Sequence, residues 1–423
     1  MNKTKLKAFW QRYHQVAENF FSLSVLNALN VLLPLVTLPY ILRVVGSANY
    51  GIYNYVYVVL QYVILFAAYG FYFSATKQIS ECRDDLTAVR RIYNAVTACK
   101  TLIAVVVTVA LLSVSRFVFR DAAAPRMFLY GLGMVVGDIL TPTWLFQGME
   151  KMKFMTIVNA SSKVLFTLLV FLVVRTEDDF VWLILLNSCG YLLAGFLSVW
   201  LARRQFHMRF ARTTWAEVKG QLRDGFAVFG STFGMNLYRN VNVIILKQFV
   251  PNEAVGLYSA AEKVIKGFQS LISPAAQALF PHLSYRFRGQ SVQQNLTLLR
   301  RIVWPFAGVV LAGAVGVFAF APLISDILCG PAFAACVPLI RIMTLVIFFG
   351  ELNYLIGIVG LINMNRQRHF FCSVLATGLF CVLFLLLTVR SYGATAAAAA
   401  MSLSEMLLTA LCLLGFRKLR KQS

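Results

Sequence analysis

Charge is scarce in this chain, and acid is scarcest. Of 423 residues only 13% are charged, and 17 Asp and Glu stand against 39 Lys and Arg. Soluble domains carry about a quarter of their residues as charged side chains, so an ordinary soluble fold is excluded. No Gly-Lys dipeptide occurs, hence no Walker A loop, and ATP hydrolysis by this polypeptide is excluded. No H-E-x-x-H is present, and the four His (His14, His207, His282, His369) form no ligand cluster. The eight Cys include no C-x-x-C pair and fall mostly within apolar runs, where a thiol packs as a small apolar group. Cys329 and Cys336 differ: both are expected near the outer face, where a disulfide between them is allowed. No cofactor motif is found and none is expected. No cleavable signal peptide is expected, because the N-terminus stays basic and polar too long before the first apolar run.

Apolar side chains make up 59% of the chain. They form twelve stretches long enough for a bilayer whose hydrocarbon core, about 30 Å thick, needs about 20 helical residues. The spans read 18–44, 50–74, 93–115, 126–148, 152–174, 180–202, 224–249, 254–284, 302–325, 335–362, 369–390 and 393–416. The eighth is long and expected to tilt, or to bend near Pro274 or Pro281. The pattern predicts an all-α polytopic membrane protein. Lys and Arg crowd every second gap: 26 lie on the side of the two termini and 7 on the other, including Arg43, Arg116 and Arg390. Basic residues are retained in the cytoplasm, so both termini are expected there, in a bacterial inner membrane. The net charge of +22 is then an orientation signal that also attracts anionic headgroups, rather than a nucleic-acid footprint.

The longest basic stretch divides six spans from six. The expected organisation is an N-terminal lobe over 1–203, a basic cytoplasmic linker over 204–223 and a C-terminal lobe over 224–423. The linker, with Phe206, Met208, Phe210, Trp215 and Val218 among its charges, reads either as a solvated loop or as a short interfacial helix. Weak echoes relate the halves. Gly51-Ile52-Tyr53 opens span 2 and Gly256-Leu257-Tyr258 opens span 8, an offset of 205 residues. Gly148 and Gly360 end spans 4 and 10, and Asn27 and Asn236 lie in spans 1 and 7. The spacing suggests a duplicated six-helix lobe, with a substrate site between the repeats.

Function is carried by ionisable residues deep in the spans: Lys100, Lys163, Arg239, Lys263, Lys266 and Arg341, with Asp138, Glu262, Glu351 and Glu405. A Lys or Arg at the bilayer centre costs about 2.5–3.5 kcal/mol even on the lenient insertion scale. Six facing lipid would cost roughly 15–20 kcal/mol, more than a typical fold's stability. They are expected to face a water-filled cavity or to pair. Glu262 and Lys266 are spaced to pair along one helix, and Lys100 is near enough to its span end to snorkel. The surplus of cations suits an anion such as phosphate or pyrophosphate, and Arg239, whose guanidinium forks onto such oxygens, is the leading candidate. Asp138 is the one acid deep in the first half. It is expected either to pair with a Lys, Lys163 being the candidate, or to bind a coupling ion.

Four stretches carry a resemblance. Leu38-Pro39-Tyr40-Ile41-Leu42-Arg43-Val44-Val45-Gly46 with Tyr50-Gly51-Ile52-Tyr53, then Ser74-Ala75-Thr76-Lys77, are similar to the N-terminal signature of Wzx-type flippases. Trp144-Leu145-Phe146-Gln147-Gly148-Met149-Glu150 resembles a second stretch of that family. Val255 to Lys263, continuing to Phe280-Pro281-His282-Leu283-Ser284, resembles a third. The resemblance implies the MATE-like exporter fold, two six-helix lobes in a V around a central cavity. It implies movement of an undecaprenyl-pyrophosphate-linked oligosaccharide, such as an O-antigen repeat unit, to the periplasmic leaflet without enzymatic chemistry. Coupling to an ion gradient is implied as well. Implied partners are that lipid, the membrane, and the repeat-unit polymerase and chain-length regulator as candidates. One departure stands out: Ala67-Ala68-Tyr69-Gly70 lacks the acid many relatives carry before the glycine, so no coupling role transfers there. A cation-coupled drug exporter of the same fold is the alternative, disfavoured by the deep cations. A polymerase or ligase would need a large outer loop, which the short outer gaps exclude.

Overall fold

The computed structural model describes residues 3–287, 291–364 and 366–422, and every regular element among them is a helix. In hydrocarbon each peptide group must be bonded within its own segment, which a helix achieves. Among the described residues eight helices are long and apolar enough to cross a bilayer. Two helices contain breaks. Lys3–Ala68 is broken at Gly46 (φ 75°, ψ 169°) and Gln367–Gln422 at Gly393 (φ 51°, ψ −128°). Both are conformations that a Cβ penalises; Gly46 falls in a gap of the hydropathy pattern and Gly393 at the start of the twelfth span. The helices Trp215–Phe249 and Asn252–Arg286 are not among the eight. The second of them runs as one element through Pro274 and Pro281.

Helix ends follow from local chemistry. Asp85 caps Leu86–Ser113 by accepting from the Thr87 and Ala88 amides at 2.9 and 3.1 Å. Pro142 divides the expected fourth span into Ala124–Leu140 and Thr143–Gly148. The ninth ends in a separate helix, Ala321–Leu328, and the tenth passes from Cys336–Asn353 into a π-helical segment, Tyr354–Ile362. Stripes such as Leu379, Leu383 and Leu387 on Gln367–Gln422 are exposed. In water they would be an adhesive patch, whereas in a bilayer they face acyl chains.

The chain forms two compact units. One comprises the residues up to Thr37 together with Val56–Thr232; the other comprises Leu38–Tyr55 and Phe233–Ser423. Packing and connectivity therefore draw different boundaries. The basic segment 204–223 lies wholly within the first unit, and Leu38–Tyr55 packs with the second.

In the first unit Phe71, Ile79, Tyr93, Val96, Trp144, Phe146, Phe154 and Phe206 share one buried cluster that also takes in Met208 and Val218. The basic segment is thereby fastened down. Arg90 donates to the His207 carbonyl at 3.1 Å, and Asn94 donates to the Arg209 carbonyl at 3.2 Å while accepting from the Ala211 amide at 3.0 Å. A helix restarts at Trp215 and continues to Phe249, so no separate interfacial helix forms here. Glu217 accepts from the Thr214 amide at 2.8 Å and the Thr214 hydroxyl at 2.9 Å, capping that helix. The Thr214 amide, followed by its hydroxyl, holds the Glu217 carboxyl below the usual carboxylate range. Along Ala124–Leu140 and Trp182–Phe206 small residues let two backbones meet. A Cβ on Gly137 would lie 2.3 Å from the Tyr191 carbonyl, and one on Gly195 3.0 Å from the Gly137 oxygen.

In the second unit the repeated Gly-x-Tyr motifs pack against each other. A Cβ on Gly51 would lie 2.0 Å from the Asn252 oxygen, and one on Gly256 1.9 Å from the Ser47 oxygen. Asn54 donates to Ser259 Oγ at 2.8 Å. Ser47 and Asn252, Gly51 and Gly256, and Asn54 and Ser259 share the offset of 205, so the contact is reciprocal, as an isologous interface is. Arg43 extends this contact by donating to the carbonyls of Ile327 at 2.9 Å and Asp326 at 3.4 Å, at the C-terminus of Ala321–Leu328.

Because backbone rather than side chain faces Gly256, Gly256→Ala is expected to destabilise by at least about 1–3 kcal/mol, the usual cost of overpacking. Gly316→Ala, where nothing lies within 4 Å, should be neutral or stabilising. Thermal unfolding of the detergent-purified variants checks the difference.

Candidate functional site

The deep charges are held in separate clusters within each unit. In the first unit Lys100 is 5% exposed and reaches Asp138, with Nζ 2.8 Å from Oδ2 and 2.7 Å from the Asp138 carbonyl. The pair joins Leu86–Ser113 to Ala124–Leu140. Its position follows from the Gly137–Tyr191 approach, which brings the backbone of Trp182–Phe206 beside Asp138. Tyr191 there accepts a hydrogen bond from Gln61 at 3.2 Å and bonds to Tyr57. Two expectations are corrected. Lys100 does not snorkel but is buried and paired, and the cation on Asp138 is Lys100 rather than Lys163. Lys163 is half-buried on Met152–Val173, next to Ser162, whose carbonyl would lie 2.9 Å from a Cβ on Gly190.

In the second unit the helix Asn252–Arg286 carries three charges in sequence. Glu262 and Lys266 form the pair their spacing predicts, at 2.7 Å, and Lys266 also donates to Asn240 at 3.3 Å. Lys263 points elsewhere. Its ammonium lies over the rings of Tyr50 and Tyr53, 5.4 and 5.7 Å from their centres. A cation above desolvated aromatic faces gains about 2 kcal/mol, which offsets part of its desolvation. The Gly51–Gly256 approach presents both rings, since Tyr50 and Tyr53 flank Gly51.

Besides Glu262, two further carboxylates are buried in the same unit. Glu351, 4% exposed, accepts from Ser273 Oγ at 2.6 Å, and Glu405, 2% exposed, accepts from Asn353 Nδ2 at 2.7 Å. Thr409 donates to Asn353 Oδ1 at 2.7 Å, and Gln269 reaches the Val346 carbonyl at 3.0 Å. This network sits where Cys336–Asn353 passes into the π-helical segment, a distortion common at functional positions. Arg341 is exposed, with its guanidinium 5.4 Å from the Phe318 ring centre. The Arg239 side chain lies outside the described residues.

The structure thus brings Lys100 to Asp138 and Lys266 to Glu262, and leaves Lys163, Lys263 and Arg341 apart from those pairs. The aromatic seat of Lys263 and the Asn353–Thr409–Glu405 network were missed in the sequence. Asn54, Asn242 and Asn353 were the available signal: amides inside apolar runs that must find partners. Asn242 donates to the Tyr258 hydroxyl at 3.1 Å, both groups buried.

Comparisons with known proteins bear on this arrangement. The model of the polysaccharide biosynthesis protein family matches residues 16–287. A protein of Escherichia coli (strain K12) named "Putative O-antigen transporter" is 29% identical over 405 residues, covering 94% of this chain and 96% of that protein. One of the same name from Shigella dysenteriae is 25% identical, covering 75% and 78%. Among solved structures, the lipid II flippase MurJ in an inward closed conformation aligns with a TM-score of 0.74 at 11% identity, covering 96% of this chain and 87% of that one. An inward-facing multidrug resistance MATE family transporter aligns at 0.72 and 12% identity, covering 92% and 96%. At such identities the likeness is one of fold, and the chain is an all-α polytopic membrane protein of the MATE-like fold.

Lys100→Met would leave the half-buried Asp138 without its cation. Breaking a fully buried pair costs about 3–5 kcal/mol and partial exposure of Asp138 lowers that figure, so this variant should unfold at a lower temperature. Lys100→Met with Asp138→Leu should recover most of the loss, and Lys163→Met alone should have a smaller effect. Equal losses from Lys100→Met and Lys163→Met would reassign the pair.

Proposed function

The chain belongs to the polysaccharide biosynthesis protein family, and from that membership we propose that it is a flippase for undecaprenyl-pyrophosphate-linked oligosaccharides, such as O-antigen repeat units. It carries them from the cytoplasmic to the periplasmic leaflet of a bacterial inner membrane. The observation that carries this reading is the near full-length likeness to the Escherichia coli protein named for O-antigen transport.

The physical chemistry of the chain supports it. Pyrophosphate cannot enter hydrocarbon with its charge uncompensated, because desolvation of an anion there costs several kcal/mol or more. Lys163 is half-buried on Met152–Val173, and Lys263 lies over two tyrosine rings on Asn252–Arg286. We assign them, with Arg239 and Arg341, to the substrate path, where each meets pyrophosphate oxygens in turn. Lys266 and Lys100, held by Glu262 and Asp138, shape that path rather than bind. The Tyr50 and Tyr53 rings hold the Lys263 ammonium in place. For Asp138 we favour a static role over ion coupling, since Lys100 already satisfies it. The lobes of 1–203 and 224–423 carry the two repeats of the transporter, and the basic stretch with both termini faces the cytoplasm.

Lys263→Ala and Arg239→Ala are each expected to abolish surface polysaccharide while the protein remains in the membrane, with Arg239→Lys rescuing in part. Normal display by both alanine variants at native expression would overturn the cationic path. A phosphatase fused after residue 215 is expected to be inactive; activity there would reverse the orientation.

A further inference from the structure

Cys329 and Cys336 are free thiols with no part in the transport path, yet the fold has placed them side by side. Both are fully buried and within hydrogen-bonding contact of each other. The turn between them is built to hold that approach. Gly330 takes φ +92° and its amide bonds back to Ser325 at 3.0 Å and Asp326 at 3.1 Å. Pro331–Phe333 forms a single 3₁₀ turn, and Ser325 Oγ donates to the Phe333 carbonyl at 3.1 Å. Cys329 therefore closes Ala321–Leu328 and Cys336 opens Cys336–Asn353, where the Cys336 thiol also donates to the Leu257 carbonyl at 3.2 Å. The carbonyls of Ile327 and Asp326 that receive Arg43 lie one turn from this point, and a Cβ on Gly330 would lie 3.1–3.7 Å from the Arg43 side chain.

We propose that Cys329 and Cys336 form a native disulfide that fastens these two helix ends beneath Arg43. The inference rests on the orientation proposed above, which puts this turn on the oxidising, periplasmic side. The oxidant is a disulfide donor, protein or small molecule, acting before the turn is buried. One cysteine thiolate attacks the donor disulfide, giving a mixed disulfide and releasing one donor thiol. The second thiolate attacks the mixed disulfide at the cysteine sulfur and expels the other donor thiol. Two cysteine protons end on the two released thiols, and two electrons pass to the donor.

Cleavage after Lys and Arg yields a peptide, 302–341, that contains both cysteines and no other. Membranes are prepared with N-ethylmaleimide present and no reductant, then denatured in excess reagent, digested and weighed. The expected peptide lacks maleimide and is lighter than the dithiol form by two hydrogens. Reduction followed by a second maleimide should add two labels to the wild type, whereas Cys329→Ala and Cys336→Ala should already carry one from the first step. Two maleimides on the unreduced wild-type peptide would overturn the disulfide. A phosphatase fused after residue 330 then separates the causes: an active fusion leaves the orientation standing and rejects the disulfide alone, and an inactive one rejects both.

Discussion

An ionised side chain in hydrocarbon must be compensated where it stands, and this constraint shapes the protein more than any other. Water cannot reach in to help, and each uncompensated charge weighs against a net stability of only about 5–15 kcal/mol. Lys100 and Asp138 meet it by direct pairing across two helices, and Glu262 and Lys266 meet it along one. Glu351 and Glu405 meet it with hydroxyl and amide donors from Ser273 and Asn353. Lys263 meets it with the faces of two tyrosines. The last solution uses ring faces where the others use ion pairs or hydrogen-bond donors.

The compensation depends in turn on glycine. In a membrane the gain from bringing helices together comes from close packing, since lipid is as apolar as the side chains it replaces. Gly137 and Gly195 let two helices of the first unit touch backbone to backbone beside Asp138. Gly51 and Gly256 do the same in the second unit and set Tyr50 and Tyr53 against Lys263. The latter contact has a further property. Its members are equivalent positions of a sequence repeated at an offset of 205, so what began as a duplicated motif ends as a contact of that motif with its own copy. Duplication supplies such surfaces readily, because a surface that fits its own copy needs only one solution.

Function joins these two features. A flippase of the kind proposed needs cations that are stable away from bulk water. The Lys263 seat provides such a group, positioned by a glycine approach that side chains of any size would prevent.

The all-helical membrane class, the family resemblance and the list of charges worth attention were all legible in the sequence. Each rests on local properties: hydropathy over a window, a short motif, or the cost of one ion in lipid. The i,i+4 pair of Glu262 and Lys266 was legible for the same reason, since helix geometry alone sets it. Partners across helices were not. Lys100 rather than Lys163 holds Asp138 because the approach of three helices, set by glycines far apart in sequence, decides which ammonium arrives. The packing of Leu38–Tyr55 with the second unit was hidden likewise, because it comes from a reciprocal backbone contact that hydropathy does not encode. Composition and spacing settled what this chain is and which residues were costly. Tertiary structure alone decided how each cost was met, because long-range neighbours are chosen by packing and not by sequence distance.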